Sequence, residues 1–436
     1  MNGTDHILGI GGVGMSALAQ ALIDAGRQVT GADRLFDGGG TTPVLEALMR
    51  QGVKLLPESG EDIGANTSRI IVSTAIEETN PSLLRARELG IPVVHRASAL
   101  SALLTGGEPP RKLVAVVGTC GKSTVTAMLG HLLAECGFDP VVVNGAQIAG
   151  WDFRGSRVGS VRTGGAEWAV AEVDESDKSL TAFHPYAAIV TNASADHYSE
   201  AEMNEVFDNF VKSVPGPVID GRAILGKGDG RSFAQSEARP DLAAVYELAG
   251  LCPMPGAHNR ANAFLALLMA KALGADDAAL AAAIRTFPGV ERRLQRVGEL
   301  DGAAVFDDYA HNPEKLSAMW RTLADAHPKG VAVLWRPHGY GPLRKMMEPL
   351  AAMFRERMRP VDALLLLPVY DAGGTADRSV NADRLAAMIP GARYVENLNE
   401  AETCLRGLAP AVGAIVTAGA RDPGLPVLAR RLAGKE

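Results

Sequence analysis

Leu113-Val114-Ala115-Val116-Val117-Gly118-Thr119-Cys120-Gly121-Lys122-Ser123-Thr124 decides how this chain is read. The β-branched run predicts a buried strand, and it breaks into a glycine-flanked loop ending in Lys-Ser-Thr. A helical pattern follows, with Val125, Met128, Leu129, Leu132 and Leu133 on its apolar side. Strand, loop and helix in this order form a P-loop, whose backbone N–H groups and helix N-terminus favour an anion. Lys122 is placed to reach β/γ-phosphates and the Ser123 hydroxyl to hold Mg²⁺, which points to ATP chemistry. The general pattern G-x-x-x-x-G-K-[ST] asks for glycine at 116, where Val116 stands, so the loop is a tighter G-T-x-G-K-S-T variant. The bland alternative is a glycine-rich turn that only joins strand to helix.

Working outward, residues 1–106 alternate short apolar strands (Ile7–Ile10, Val29–Asp33, Ile70–Ser73, Ile91–Val94) with helical patterns such as Val13–Ala25. Such alternation predicts a parallel α/β sheet. Gly106-Gly107-Glu108-Pro109-Pro110 is a breaker cluster and marks a boundary. After the P-loop, Trp168–Val173 and Ala187–Asn192 read as further buried strands. Residues 226–241 read as a polar loop, and a helix is expected from Asn259 to about Leu273. A third unit begins near Gln295, with strands Ala303–Asp308, Val331–Trp335, Ala363–Leu367 and Ala414–Thr417. The expected domains are 1–108, 109–294 and 295–436. The fold class is α/β in three domains: Rossmann-like, central P-loop and Rossmann-like.

Bulk properties are compatible with this division. At 436 residues the chain has room for about three domains. A net charge of −7 argues against a nucleic-acid surface. Cys120, Cys136, Cys252 and Cys404 show no C-x-x-C spacing and read as reduced thiols. No apolar run of about 18 residues or leader-like segment is seen. A cytoplasmic protein with no membrane partner, monomeric or weakly homodimeric, is the expectation.

Chemistry-bearing residues gather at predicted strand ends. Gly9-Ile10-Gly11-Gly12-Val13-Gly14 follows the first strand and opens a helix, with Asp33 about twenty residues on. That pattern suits a nucleotide pyrophosphate with Asp33 near a ribose or base, or it is a close-packed turn. Ala171-Glu172-Val173-Asp174-Glu175-Ser176-Asp177 offers oxygen ligands for Mg²⁺, Glu172 first and Glu175 second, or an acidic surface turn. His197, beside Asp196, is a metal ligand, a phosphate-orienting group or a structural hydrogen-bonder. Asn259 either meets an adenine edge or caps its helix. Asp308 can bridge ribose hydroxyls, His311 can reach phosphate or substrate, and Arg293 offers a guanidinium for phosphate.

In this order, and over nearly the whole chain, these segments resemble the Mur ligase family of ADP-forming amide ligases. The likeness is to the branch acting on UDP-N-acetylmuramate: G-I-G-G-V-G-M-S at 9–16, S-T-A-I at 73–76, N-P at 80–81, I-P-V-V-H-R at 91–96 and A-E-x-D-E-S-D at 171–177. The resemblance implies a UDP-sugar carboxylate site of Gly9, Gly11, Gly12, Val13, Gly14, Asp33, Ser73, His95 and Arg96, continued by Cys120, Asn144-Gly145 and His311. It implies an ATP site of Gly118, Thr119, Gly121, Lys122, Ser123, Thr124, Asn259 and Asp308. Ser123 and Glu172 would ligate one Mg²⁺, His197 a second metal, and Lys212 is a candidate for carbamylation. Lys122, Glu172, His197 and Arg293 are the implied catalytic set. The implied reaction phosphorylates a substrate carboxylate and lets L-alanine or a short peptide attack the acyl phosphate.

The chain departs from that branch in named places. Its G-T-H-G-K-T is here G-T-C-G-K-S, with Cys120 and Ser123. Its D-D-Y-G-H-H-P is here D-D-Y-A-H-N-P, and its P-H-R-Y-T-R is Pro337-His338-Gly339-Tyr340-Gly341-Pro342. The stretch from His197 to His258 is short. A Mur-like ligase acting on a non-peptidoglycan carboxylate and a non-catalytic ATP-binding module are the alternatives.

Overall fold

The computed structural model describes residues 3–61, 63–152, 155–165, 167–174, 179–193, 200–225, 240–371 and 377–435. The chain forms two compact units, Met1–Val290 and Glu291–Glu436. Among the described residues three sheets run through them, two in the first unit and one in the second.

The first sheet holds β1 (Thr4–Leu8), β2 (Val29–Ala32), β3 (Lys54–Leu55), β4 (Thr67–Val72) and β5 (Val93–His95). Its order is β3-β2-β1-β4-β5 and every pairing is parallel. The order reverses at β1, so a crevice opens at the carboxyl ends of β1 and β4. The expected strand Ile7–Ile10 stops at Leu8: Gly9 sits at φ +67°, which turns the chain before the helix Val13–Asp24.

The second sheet holds β6 (Lys112–Val117), β7 (Val141–Val143), β8 (Val161–Arg162), β9 (Trp168–Glu172), β10 (Ala187–Val190) and β11 (Val218–Asp220). The order is β11-β10-β6-β9-β7-β8, with only β8 antiparallel. Leu113 to Val117 are wholly buried, as a central parallel strand requires. The helix Lys122–Glu135 is buried from Ser123 to Leu133 rather than on one face. The helix Ala257–Ala272 and the helix Asp277–Arg285 pack on its outer side. Residues 226–239 of the expected loop lie outside the described residues, and a helix starts at Pro240.

The two sheets of the first unit are joined by a polar seam. Asp24, ending the helix Val13–Asp24, accepts from Arg157 and from Thr163 Oγ1, the latter at 2.8 Å. Gln20 Oε1 accepts the Val158 N–H at 3.0 Å, and Arg50 donates to the Gly155 carbonyl at 2.6 Å.

The third sheet holds β12 (Gln295–Leu300), β13 (Ala303–Asp308), β14 (Val331–Trp335), β15 (Ala363–Leu366), β16 (Ala392–Tyr394) and β17 (Ala414–Ala418). Its order is β12-β13-β17-β14-β15-β16, with β12 antiparallel to β13. Residues 291–294 belong with this unit: the Leu294 N–H donates to Asp308 and Arg292 pairs with Asp307. Among the described residues no helix is long and apolar enough to cross a membrane.

Candidate active site

The P-loop is shaped by its neighbours β10 and β9. Gly118 takes φ +128°, and a Cβ there would collide with Thr191 Oγ1. Gly121 takes φ +86°, and a Cβ there would stand 2.6 Å from Asn262 Oδ1 on the helix Ala257–Ala272. Asn192, just past β10, clamps the loop with both ends of its amide. Its Oδ1 accepts the Cys120 N–H at 2.9 Å and its Nδ2 donates to the Cys120 carbonyl at 2.8 Å. Thr191 Oγ1 donates to the same carbonyl at 2.7 Å. The Thr119 N–H donates to the Asn192 carbonyl. Sequence reading quoted Thr191 and Asn192 but gave them no part. The strand order that brings β10 beside β6 supplies it.

Lys122 Nζ donates to the Gly118 carbonyl at 2.7 Å and lies 4.0 Å from Asp174 Oδ1. It is folded over the loop, where an arriving phosphate would meet it. Gly121 gives the helix no side-chain cap, which leaves first-turn N–H groups for an anion. Ser123 and Thr124 are buried in that first turn.

Glu172 ends β9, the strand next to β6. Its Oε2 accepts the Gly145 N–H at 2.7 Å, and its Oε1 has no partner among the described residues. A Cβ on Gly145 would collide with this carboxylate, so glycine admits the close approach. Asn144 beside it is buried. Its Nδ2 donates to the Ala146 carbonyl, and its Oδ1 has no hydrogen-bond partner among the described residues. Glu175 and His197 lie outside the described residues. Lys212 follows the helix Glu200–Val211 and donates to Asn209 Oδ1 at 3.3 Å. Asn259 is buried and donates to the Pro255 carbonyl at 2.7 Å.

The oxygen donors fit Mg²⁺. Among the described residues no cluster of three or more His, Cys, Asp or Glu could enclose a metal. Mg²⁺ needs no such cage: it keeps waters and takes one or two protein oxygens plus substrate phosphates. The unpartnered Glu172 oxygen and the Ser123 hydroxyl are that kind of donor.

The first-sheet candidates meet at the carboxyl ends of its strands. Asp33 Oδ2 accepts the Gly11 N–H at 2.9 Å, and its Oδ1 caps the helix Arg34–Asp37 through the Leu35 N–H at 3.0 Å. Asp33 thus braces the glycine loop. A Cβ on Gly14 would stand 2.6 Å from Arg96 Nη1, so the loop lies directly under that guanidinium. Gly12 leaves the helix Val13–Asp24 without a side-chain cap, and Val13 is 58% exposed. His95 Nδ1 accepts the Ala97 N–H at the start of the helix Arg96–Thr105. Ser73 directly follows β4.

In the second unit, Asp308 ends β13. Its oxygens accept the Leu294 and Ala310 N–H groups at 2.6 and 2.7 Å. Burial pushes this carboxyl up to about 6, against the pull of those N–H groups and Arg293. Asp307 is buried too, paired with Arg292 at 2.9 Å and Thr417 Oγ1 at 2.7 Å. Arg292 is therefore the structural member of its pair. Arg293 has no carboxylate partner among the described residues and lies 5.6 Å from the Tyr309 ring. His311 packs edge-on against His338 with ring centroids 5.0 Å apart. Lys122, Ser123, Glu172 and Asn259 thus belong to the first unit, and Arg293, Asp308 and His311 to the second.

Residues 4–107 match the profile described as Mur ligase family, catalytic domain, and residues 292–421 that described as Mur ligase, glutamate ligase domain. The chain is 32% identical to the UDP-N-acetylmuramate–L-alanine ligase of Sinorhizobium fredii, over 96% of this chain and 92% of that protein. Its fold is similar to that of UDP-N-acetylmuramate–alanine ligase MurC from Thermotoga maritima. There the TM-score is 0.76 at 23% identity, covering 99% of this chain and 98% of the other. A murein peptide ligase from Psychrobacter arcticus gives a TM-score of 0.64 at 19% identity, with 99% and 98% covered. The carboxyl-end constellations and these likenesses agree: the chain belongs to the Mur ligase family, whose members form amide bonds.

Proposed function

We propose that the protein joins L-alanine or a short peptide to the carboxylate of UDP-N-acetylmuramate in the cytoplasm, with ATP converted to ADP and phosphate. The observation that carries this reading is the P-loop beside Glu172, on a chain similar along nearly its whole length to a UDP-N-acetylmuramate–L-alanine ligase. Residues 1–108 bind the UDP-sugar, 109–294 bind ATP, and 295–436 bring the amine and further nucleotide contacts.

The residues suit each step. The uncapped helix after Gly12, under Arg96, offers N–H groups and a cation to a diphosphate. The buried Asn144 Oδ1 awaits a donor, which a sugar or amide group supplies. Lys122 leaves the Gly118 carbonyl for the β/γ-phosphates and offsets the charge that gathers as a carboxylate oxygen attacks the terminal phosphorus. Ser123 and Glu172 would hold Mg²⁺, which when bound neutralises phosphate charge. In the second unit, Arg293 offers a guanidinium suited to a phosphate and Asp308 a carboxylate suited to a ribose. The acyl phosphate then reacts with the amine to give the amide and phosphate.

An ADP-release screen tests this directly. Purified protein is given ATP, Mg²⁺ and UDP-N-acetylmuramate, with a panel of amino acids and peptides. The expected result is ADP formation that needs both the UDP-sugar carboxylate and one class of amine. ADP release indifferent to UDP-N-acetylmuramate, or none with any pairing, overturns the reading.

A further inference from the structure

Side chains tie together the segments that follow β2, β3 and β4 at the carboxyl end of the first sheet. Arg34, next to Asp33 after β2, reaches Glu77 in the segment after β4. Its Nη2 donates to Glu77 Oε2 at 2.6 Å and its Nη1 to Glu77 Oε1 at 3.4 Å. Arg34 Nε also lies 3.4 Å from Glu58 Oε2, in the segment after β3. That Glu58 oxygen accepts from Asn80 Nδ2 at 2.8 Å, and the Glu58 N–H donates to Asp37 Oδ2 at 3.1 Å. Asn80 is buried and caps the helix Pro81–Glu88 with its Oδ1. Glu58 and Asn80 are the fixed footing, with the Glu58 side chain only 8% exposed. The Arg34 and Glu77 side chains are 61% and 62% exposed, and they are the parts free to swing.

This exposed pair crosses the glycine loop. β2 and β4 flank β1, roughly 10 Å apart, so a bond between the segments that follow them spans the β1 end. Its two feet are the neighbours of residues that touch the loop. Asp33, before Arg34, accepts the Gly11 N–H. Ile76, before Glu77, holds its Cδ1 3.5 Å from where a Gly9 Cβ would stand. An exposed ion pair adds little to folding stability. A pair that joins positions 43 apart across a switch-point crevice is better explained by what passes beneath it.

We propose that Arg34 and Glu77 form a clasp over the nucleotide crevice, which parts to admit or release the UDP-sugar and closes again above it. The inference rests on the UDP-sugar reading of the first sheet and adds the control of entry to that site. The two side chains bind each other rather than the ligand. Opening therefore costs the same with the crevice filled or empty. The clasp sets the rates of entry and exit and leaves the affinity alone.

The test uses UDP-N-acetylmuramate as the probe. Calorimetry gives Kd, line shapes of its phosphorus NMR signals give the dissociation rate, and the two together give the association rate. Glu77→Gln and Arg34→Gln are each expected to raise association and dissociation about threefold, the effect of losing one exposed ion pair, with Kd near wild type. The two variants change the charge at the crevice in opposite senses. Electrostatic steering of the anionic ligand would drive their association rates apart, whereas an opened clasp moves them together. Unmoved rates, diverging association rates, or a Kd that rises through faster dissociation alone overturn the clasp and leave the ligase reading standing. A wild-type protein that does not bind UDP-N-acetylmuramate overturns the UDP-sugar reading, and the clasp with it.

Discussion

Lys122 is the residue on which the proposed phosphoryl chemistry turns, and its side chain reaches a loop carbonyl and Asp174 rather than the core. Lys122→Ala is therefore expected to lower ADP formation by about 10³-fold while circular dichroism and the melting midpoint stay near wild type. A large fall in the midpoint would instead mark Lys122 as a structural residue. Gly145 offers a subtler lesion. Its N–H holds Glu172 Oε2, and an added Cβ would push that carboxylate away. Gly145→Ala is expected to raise the Mg²⁺ concentration needed for half-maximal ADP release by roughly tenfold, about 1.4 kcal/mol. An unchanged Mg²⁺ dependence would remove Glu172 from the metal's surroundings. Lys122 and Ser123 were legible in the sequence because the motif is contiguous and the strand-to-helix switch is local. Gly145 as the partner of Glu172, and Asn192 as the clamp on Cys120, were not. Those contacts join residues 27 and 72 positions apart and exist only once β9 and β10 flank β6. Asp33 was legible by its spacing from the glycine loop, whereas the Gly11 and Leu35 N–H groups that its two oxygens meet were not.

Elements were legible where burial is symmetric and long. β6, β14 and β17 are interior strands made mostly of buried apolar residues, and such runs need no alternation to be recognised. β3, β8, β11 and β16 are two or three residues long and carry no periodic signal. The five apolar residues that marked the helix Lys122–Glu135 in the sequence are only part of what it buries, because sequence cannot foresee that the helix Ala257–Ala272 packs on it. Within the second unit, Asp362 ties three elements together. It accepts from Trp320 Nε1 at 3.1 Å, from the Val331 N–H at 2.8 Å and from Arg359 at 2.8 Å. Asp362→Ala would leave a buried indole N–H, a buried backbone N–H and a cation without their acceptor. A loss of about 3–5 kcal/mol in the unfolding free energy of this unit is expected, measured by urea titration. A change below about 1 kcal/mol would show that water replaces the carboxylate. Those same donors hold the Asp362 carboxyl below the usual carboxylate range, although burial opposes them. The stability this gives is present above the unfolded value of about 4 and disappears as pH falls through the lower folded value. Asp362→Ala should flatten the acid side of the unit's stability curve.

At the scale of the whole molecule, the first unit is two sheets held as one body by side chains from one helix end. Asp24 gathers Gln20, Arg157 and Thr163, and Gln20 in turn exchanges amide hydrogen bonds with Gln51 and receives the Val158 N–H. The helix carrying Gln20 and Asp24 begins at Val13, directly after the glycine loop proposed to hold a diphosphate. The seam therefore fixes the far end of the element whose near end meets the substrate. Asp24→Ala would remove the carboxylate that part-buried Arg157 pairs with and that accepts from the Thr163 hydroxyl. The expected cost is about 1–3 kcal/mol, seen as faster amide exchange in Val13–Asp24 and around Val161–Arg162. Helix displacement would also weaken UDP-N-acetylmuramate binding by roughly tenfold in calorimetry. ATP affinity is expected to stay near wild type, since the P-loop is clamped separately by Thr191 and Asn192. Arg157→Met gives the complementary lesion. If seam and substrate loop are coupled through the helix, the double variant loses no more UDP affinity than Asp24→Ala alone. Additive losses, or exchange that quickens without any change in UDP affinity, would show that the seam stabilises the unit but leaves the glycine loop to be set by Asp33 and Arg96 alone.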